Sequence, residues 1–249
     1  MFRSISLFLF LYAAGGLAIP LGLAQAGHPG SEPRTMYFDG YELEDGALVF
    51  RGSRTVARRD GSVAETIVFQ GLAGEEIQRM EAVYDAATLA LISFSRFYPL
   101  TGAGHFMYRS GDQVRMTRLS GSKHFDTEAL DWSDAMMVSS ALVDRIGMER
   151  HALEAGEDVE FDLLLPSRLD SVGFRFRKAG DSEVDGRQVI VIEMEPTSWF
   201  LRLLIDPIRF YMDADSPYEL LEYRGVTAIF KEDGSHLDAR IVYRSADSG

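Results

Sequence analysis

The sequence predicts a single α+β domain in which helices cover the apolar face of an antiparallel β-sheet. Asp-Gly and Gly-Asp pairs recur along the chain, and such pairs favour tight hairpin turns. The segments beside them alternate apolar and polar residues, which is the pattern of strands with one buried face. Two other segments have the apolar spacing of helices. Short turns between successive strands indicate an antiparallel meander, and the helices supply a cover for its apolar face.

The first 26 residues have the organisation of a secretory signal peptide. Arg3 precedes an apolar run, and Ala24-Gln25-Ala26 forms a cleavage site of small residues. A retained membrane anchor is the alternative, because residues 5–23 carry no charge and are about long enough to span a bilayer. The cleavage site and the preceding Pro20 favour removal. We therefore expect an exported protein with no transmembrane span in the mature chain.

The charge and the amino-acid composition exclude several classes of function. The chain has 38 acidic and 25 basic side chains, for a net charge of −13. Phosphate backbones and anionic headgroups would repel it, so neither nucleic acid nor broad electrostatic docking on a membrane is expected. There is no cysteine, so the fold uses no disulfide and no thiol chemistry. The five histidines lack metal-ligand spacing, and no metal or cofactor is predicted.

The turn signals divide the chain after its N-terminal tail. Residues 27–35 are rich in Gly and Pro and are expected to form a flexible tail, followed by one domain over residues 36–245. Both residues of an Asp-Gly pair tolerate the positive φ of two-residue hairpins. Segments such as GFRFRK and ARIVYR alternate as half-buried strands do. The paired turn residues lie at 39–40, 45–46, 60–61, 111–112, 180–181, 185–186 and 233–234.

Two segments are predicted to be helical. The longer one, residues 139–156, begins with serine, ends at glycine and places Leu142, Val143, Ile146 and Leu153 on one face. The shorter one runs from about Ser198 to Ile205 and is stopped by Pro207. Its residues Phe200, Leu203 and Leu204 are expected to face the sheet, with Trp199 and Arg202 nearer the rim. Both helices are predicted to pack on the apolar face of the sheet.

Two strand segments raise the question of a ligand. In VEFDLLLPSRL, residues 159–169, the alternate residues Val159, Phe161, Leu163 and Leu165 share one face, and Pro166 ends the strand before Arg168. They form either a simple core strand or the lining of a cavity, with Arg168 at its mouth to hold a carboxylate or phosphate headgroup. Residues 208–213 place Ile208, Phe210 and Met212 on one face of another strand.

Enzymatic signals are weak, and we expect no enzyme. No serine lies on a Gly-x-Ser-x-Gly turn. LSGSKHF, residues 119–125, gathers Ser120, Ser122, Lys123 and His124, but it has the composition of a polar surface loop and lacks an orienting partner. The many carboxylates are expected to be solvated.

Several motifs carry a resemblance to a known family. LLLPSRL, VGFRFRK, LLEYRG and the closing IVYR resemble a group of uncharacterised bacterial periplasmic proteins, distantly similar to the LolA-like superfamily of lipoprotein carriers. The likeness extends from about residue 49 to residue 244, and it departs at Val226-Thr227, where relatives often carry a polar pair. The resemblance implies a strongly curved antiparallel sheet, an incomplete β-barrel, whose concave side is closed by helices and holds acyl chains.

The function expected from the sequence is a periplasmic carrier or binding protein for an apolar ligand. The ligand would be a lipid or the acyl chains of a lipoprotein, held by burial in the half-barrel. The alternative is an envelope protein whose barrel is packed solid and which binds a protein partner, without enzymatic activity in either case. The candidate ligand-binding residues are Phe161, Leu163, Leu165, Arg168, Phe174, Trp199, Phe200, Leu203, Phe210 and Met212.

Overall fold

The computed structural model describes residues 32–121, 124–216, 218–231 and 234–245. The predicted signal peptide, residues 27–31 of the predicted tail, and the loop residues Ser122, Lys123 and Asp233 lie outside the described residues. Residues 34 and 35, which the sequence placed in the tail, belong to the first strand.

Fifteen strands form one antiparallel sheet, apart from one short parallel pair. The first half comprises β1 (Arg34–Glu42), β2 (Leu48–Arg59), β3 (Ser62–Gln70), β4 (Glu76–Asp85), β5 (Leu91–Tyr98), β6 (Ala103–Ser110), β7 (Gln113–Ser120) and β8 (His124–Asp131). The second half comprises β9 (Met136–Met137), β10 (Val159–Leu165), β11 (Asp170–Val184), β12 (Arg187–Pro196), β13 (Ile208–Asp213), β14 (Leu220–Phe230) and β15 (His236–Ser245). β1 pairs with β15, so two meanders meet at the centre. Pairing among the described residues leaves β8 and β9 as edges, and the sheet is not closed.

Several of the predicted turns are confirmed. Asp60-Gly61 joins β2 to β3 and Asp185-Gly186 joins β11 to β12, each as a two-residue hairpin with positive φ at both positions. Gly111-Asp112 joins β6 to β7 as a two-residue hairpin too, but with positive φ, 61°, at the glycine and not at the aspartate. These residues tolerate the left-handed backbone that such turns require.

Two of the predicted turns are wrong, because the glycines serve other purposes inside strands. Asp39-Gly40 lies within β1, where a Cβ on Gly40 would come within 2.1 Å of the Phe50 ring. The glycine therefore makes room for a buried aromatic ring. Gly180-Asp181 lies within β11 at a register shift against β12, where an extra residue is accommodated as a bulge.

The helical segments are shorter than the sequence predicts. Residues 139–154 form a 3₁₀ turn (Ser139–Ala141), α1 (Leu142–Met148) and α2 (Arg150–Glu154), with a break at Glu149. Their buried apolar residues join the main hydrophobic core. The second segment contains only α3 (Trp199–Arg202) and has no buried residue.

The expectation that Phe200, Leu203 and Leu204 pack against the sheet is therefore wrong. All three side chains are exposed. β12 and β13 already pair directly up to Met194 and Ile208. The connection between them consequently projects beyond the end of the sheet and does not fold back across its face.

The two halves of the sheet share one core. The largest hydrophobic cluster combines residues of β3–β7 with residues of β9–β14 and of the helical segment 139–154. Hydrogen bonds span the same space: Tyr98 Oη of β5 donates to the carbonyl of Ala228 in β14 at 3.1 Å, and Tyr84 Oη of β4 donates to Asp144 of α1 at 2.6 Å. The sheet curves, and the apolar face lies inside the curve.

The meander places its connections alternately at two ends of the sheet. The rim end carries the connections β1–β2, β3–β4, β5–β6, β7–β8, β10–β11, β12–β13 and β14–β15. An ion pair of 2.5 Å between Lys231 and Glu42 joins the last of these connections to the first. The helix end carries the remaining connections and the helical segment 139–154.

Candidate functional site

The structure divides the ten predicted ligand-binding residues into two groups. Five are buried in the core: Phe161, Leu163, Phe174, Phe210 and Met212. Leu165 is half-buried, and Arg168 is exposed in the β10–β11 turn. The remaining three, Trp199, Phe200 and Leu203, are exposed in the β12–β13 connection. The predicted residues thus do not line a single wall.

The buried group is packed against itself. Phe161 stacks on Phe174 with ring centroids 6.3 Å apart and contacts Phe176 at 4.6 Å. Phe176 meets Phe210 edge to face at 5.9 Å. Such contacts are typical of an ordinary aromatic core. Neither of the two cavities described below is lined by any of these residues.

The exposed group forms an apolar tip, defined here as Trp199, Phe200, Leu203 and Leu204. Their exposed fractions are 69%, 55%, 73% and 67%. The rings of Trp199 and Phe200 meet edge to face at 6.0 Å. Four large apolar side chains are thus exposed within six consecutive residues. Clustered exposure of this kind marks contact sites more often than scattered apolar residues do.

Other connections at the rim end also expose apolar side chains. Together with the apolar tip they form what we call the apolar rim: Leu43, Leu72, Leu100, Phe125, Trp199, Phe200, Leu203, Leu204 and Phe230. At the helix end, the two-residue turns consist of Asp and Gly. The exposed large apolar side chains at or next to this end, among the described residues, are Ile92, Tyr108, Met148 and Tyr218. The rim end exposes more than twice as many and is therefore the more apolar of the two ends.

Arginines surround the base of the apolar tip. Glu195, at the end of β12, binds Arg175 at 2.5 Å, Arg202 at 3.5 Å and Arg177 at 3.7 Å. Burial opposes ionisation of Glu195, but these guanidiniums outweigh it and hold the pKa of the carboxyl below its ordinary value. Arg175 also binds Asp158 at 2.7 Å. Glu160 lies in register with Arg175 and adds a third carboxylate, so acidic side chains balance the three guanidiniums here.

A cavity of about 460 Å³ opens beside the rim. It is lined by Tyr41, Glu42, Leu43, Gly46, Arg224 and Arg240. Both of these arginines bind Glu222, which is 1% exposed, with their closest contacts at 2.5 and 2.7 Å. The two guanidiniums share the Glu222 carboxylate, and Glu42 adds a second carboxylate to the wall, so the cavity is polar and lined by charges of both signs.

A buried network of charged and polar residues lies near the helix end. Arg54 and Glu65 form an ion pair inside the core, and Asp144 of α1 accepts hydrogen bonds from Arg58 and Tyr84. Burial raises the pKa of Glu65, against the opposing effect of Arg54. These contacts tie α1 to β2 and β4, and β2 to β3. A cavity of about 270 Å³ lies at the edge of this network, lined by Arg58, Ala86, Asp144, Met148 and Tyr218.

Sequence reasoning missed both the buried network and the extent of the rim. The available signal for the network was the charge of Arg54 and Glu65 at inward positions of otherwise alternating strands. The signal for the rim was one apolar residue in each of several connections, such as Leu72 and Leu100. These scattered residues indicate a common surface only once the pairing of the strands is known, because the pairing brings their connections to one end of the sheet.

In the part of the chain that the structure describes, no helix is both long enough and apolar enough to cross a membrane. Within the same residues, no three histidine, aspartate or glutamate side chains come together so that they could hold a metal ion.

Comparisons with known proteins find likeness in structure alone. No protein family and no curated protein matches the sequence. A β-barrel-like protein of the domain of unknown function DUF1849 from Brucella abortus is 11% identical, with a TM-score of 0.49 over 86% of this chain and 96% of that chain. A candidate outer membrane lipoprotein-sorting protein domain from Vibrio parahaemolyticus is 9% identical, with a TM-score of 0.29 over 87% and 86%. A DUF1329 family protein from Desulfovibrio piger is 9% identical, with a TM-score of 0.26 over 87% and 86%.

One of the three is thus a lipoprotein-sorting domain, the class of protein that the sequence resembles, but no sequence match links it to this chain. The apolar rim and its charges, and not these likenesses, carry the function proposed next.

Proposed function

We propose that the protein is a non-enzymatic periplasmic binding protein for lipid or for the acyl chains of a lipoprotein, and that the apolar rim is its contact surface. The exposed apolar tip is the observation that carries the proposal. Trp199, Phe200, Leu203 and Leu204 each expose more than half of their surface to water. Full burial of one such side chain contributes about 1.5–3 kcal/mol, so partial burial of several supplies useful affinity.

The composition of the tip suits lipid. An aromatic pair, leucines and nearby arginines are the side chains that favour the boundary between acyl chains and headgroups. Arg175, Arg177 and Arg202 place guanidiniums at the base of the tip, at the level where lipid headgroups would lie. Because the rim is spread over several connections at one end, the molecule would contact lipid end-on.

In the carrier form of the proposal, the helical segment 139–154 covers the concave face, and an acyl chain enters between it and the sheet. Phe161, Phe174 and Phe210 belong to one continuous set of packed rings. Entry therefore requires these rings to part and the helical segment to move. The close packing of the rings also favours the second candidate, an envelope protein whose interior stays filled and whose surface binds a protein partner.

The two tryptophans of the chain provide the test, because they lie in different places. Trp199 is in the apolar tip, whereas Trp132 follows β8 at the helix end under the guanidinium of Arg109. Phosphatidylcholine vesicles should shift the emission of the Trp132→Phe variant to the blue and leave the Trp199→Phe variant unchanged. A shift confined to Trp199→Phe, or no shift in either variant, would contradict the proposal.

A charge in the tip should weaken binding without unfolding the protein. Trp199→Asp is expected to reduce vesicle affinity about tenfold, since it removes an apolar anchor worth at least about 1.4 kcal/mol. The matched control is Ile92→Asp, an equally drastic change at an exposed position on β5, away from the rim. Loss of folded Trp199→Asp protein would show that Trp199 belongs to the core.

Native mass spectrometry then separates the two candidates, since a carrier retains a lipid and a packed barrel does not.

A further inference from the structure

Three basic residues lie side by side on the inner face of the sheet. Arg96 of β5 is in register with His105 of β6, and His105 is in register with Arg118 of β7. We call these three residues the basic row. Each of them lies two residues along its strand from a buried core residue, Phe94, Met107 or Met116, and so shares a face of the sheet with it. The basic row therefore faces the interior.

Elements from the other half of the sheet enclose the basic row. Arg118 Nη1 donates to the carbonyl of Ser167 in the β10–β11 turn at 2.9 Å. Tyr98, two residues beyond Arg96, donates to the carbonyl of Ala228 and lies edge to face with His105 at 6.1 Å. The row thus lies close to the rim end, between β5–β7 on one side and β14 and the β10–β11 turn on the other.

The charge of Arg96 has no counter-charge. Among the residues that the structure describes, no carboxylate lies within ion-pairing distance of its guanidinium. Its Nε is shielded from solvent without an acceptor, and its guanidinium lies 5.5 Å from the ring of Phe94. The Tyr98 hydroxyl accepts a hydrogen bond from the guanidinium, but burial raises the pKa of that phenol, so Tyr98 carries no counter-charge at pH 7. Arg118, by contrast, is paired with Asp126 at 2.6 Å.

Neighbouring polar groups are also unsatisfied. His105 is 8% exposed, and its Nδ1 has no hydrogen-bond partner. Gln78 of β4 is 1% exposed, and its Oε1 has none. Burial, together with Arg96 and Arg118, lowers the pKa of His105 to about 4, so the imidazole is neutral at pH 7. An enclosed cation without a counter-charge is costly, and so are unsatisfied polar atoms beside it. Of these atoms, Arg96 Nε and a protonated ring nitrogen of His105 can donate to an anion, whereas Gln78 Oε1 can only accept.

We infer that the basic row is a binding site for one anionic group, a phosphate or a carboxylate. The Arg96 guanidinium supplies the fixed charge and a forked set of donors, His105 supplies an N–H, and Arg118 stands at the more exposed side. The anion site rests on these side chains alone. That the anion is the head of an acyl-bearing ligand, with its chain on the apolar rim, rests on the proposed function.

Calorimetric titration with dodecyl phosphate, inorganic phosphate and the neutral amphiphile dodecyl maltoside tests the inference. Both phosphates should bind, dodecyl phosphate more tightly. Arg96→Gln should weaken both by about tenfold or more, the loss expected for a charged hydrogen bond. The matched control is Arg115→Gln, which removes the same charge from the exposed face of β7 and should leave both affinities within about twofold.

Two further readouts separate binding from a structural role. Without anion, Arg96→Gln should melt at or above the temperature of the unaltered protein, because an uncompensated charge has been removed. With dodecyl phosphate bound, the pKa of His105 measured by NMR should rise from about 4, because an anion now faces it. A lower melting temperature for Arg96→Gln, or an unmoved His105 pKa, would overturn the inference.

The two proposals fail in different ways. If Arg96→Gln and the unaltered protein bind both phosphates with equal affinity, the anion site is contradicted. The proposed binding of vesicles by the apolar tip does not depend on that result. If inorganic phosphate binds in an Arg96-dependent way and the dodecyl chain adds no affinity, the anion site is supported and the acyl-bearing ligand is ruled out.

Discussion

The interior of this sheet contains two kinds of ionisable residue. The charge of one kind is compensated by a partner, and the other kind has no partner of opposite charge among the described residues. Asp144 is 4% exposed and accepts from both Tyr84 and Arg58, so its burial is compensated. Arg96 and His105 lie on the same face but have no acidic partner among the described residues. The first arrangement anchors α1 on the sheet, and the second leaves a charge for a ligand.

The pH dependence of stability should reveal the state of His105. Its folded-state pKa of about 4 lies below the ordinary value near 6.5, so the unfolded chain takes up a proton first as the pH falls. The stability that neutral His105 confers above pH ~6.5 is therefore lost progressively down to pH ~4, by roughly 3 kcal/mol. Urea unfolding in phosphate-free buffer at pH 7 and pH 4.5 measures this loss.

The His105→Gln variant isolates that contribution from the many carboxylates that also titrate in this range. It should lose less unfolding free energy between pH 7 and pH 4.5 than the unaltered protein does. Equal losses in the two proteins would show that His105 keeps an ordinary pKa in the fold.

At the scale of elements, a dipeptide can serve as a turn or as part of a strand, and tertiary contacts decide which. Asp60-Gly61 and Asp39-Gly40 have the same letters, yet the first is a hairpin and the second lies within β1. Local propensity predicts the first. The second depends on Phe50 of β2, which reaches under Gly40 only after the strands pair.

The two glycines should therefore differ in their response to alanine. Gly61 has a φ of 76° and open space around its missing Cβ, so Gly61→Ala should cost only backbone strain, about 1 kcal/mol. Gly40→Ala would bring a methyl group within 2.1 Å of the Phe50 ring and should cost about 1–3 kcal/mol or more. Urea denaturation of both variants gives the comparison, and a larger loss at Gly61 would contradict this account.

The same division explains how much of the candidate site the sequence could predict. Alternation correctly predicts that Phe161, Leu163 and Phe210 face inward, because a strand has a fixed period of two. It cannot tell a cavity lining from a packed core, since both need apolar residues. Helical spacing likewise predicts an apolar face on the segment 198–205, but it does not show whether another element packs against that face. The basic row was beyond reach, because Arg96, His105 and Arg118 become neighbours only through the register of three strands.

At the scale of the whole molecule, the meander brings apolar residues that are far apart in the sequence to one end, so the two ends of the molecule differ in polarity. Successive connections alternate between two ends, so every second connection contributes to the same surface. Leu43, Leu72 and Leu100 are far apart in the chain, yet they belong to the same end as the apolar tip. The enclosed basic row lies close to this end too. Apolar contact and anion binding would thus use one entrance.

This polarity predicts where lipid should protect the backbone from hydrogen exchange. With phosphatidylcholine vesicles, we expect slower exchange in the connections β1–β2, β3–β4, β5–β6 and β12–β13, because the apolar rim would then be withdrawn from water. The connections β2–β3, β6–β7 and β11–β12 at the helix end serve as internal controls and should exchange at unchanged rates. Protection limited to β12–β13 would reduce the contact surface to the apolar tip. Protection at the helix end would place the lipid contact on the opposite side of the molecule, beside Met148 and Tyr218.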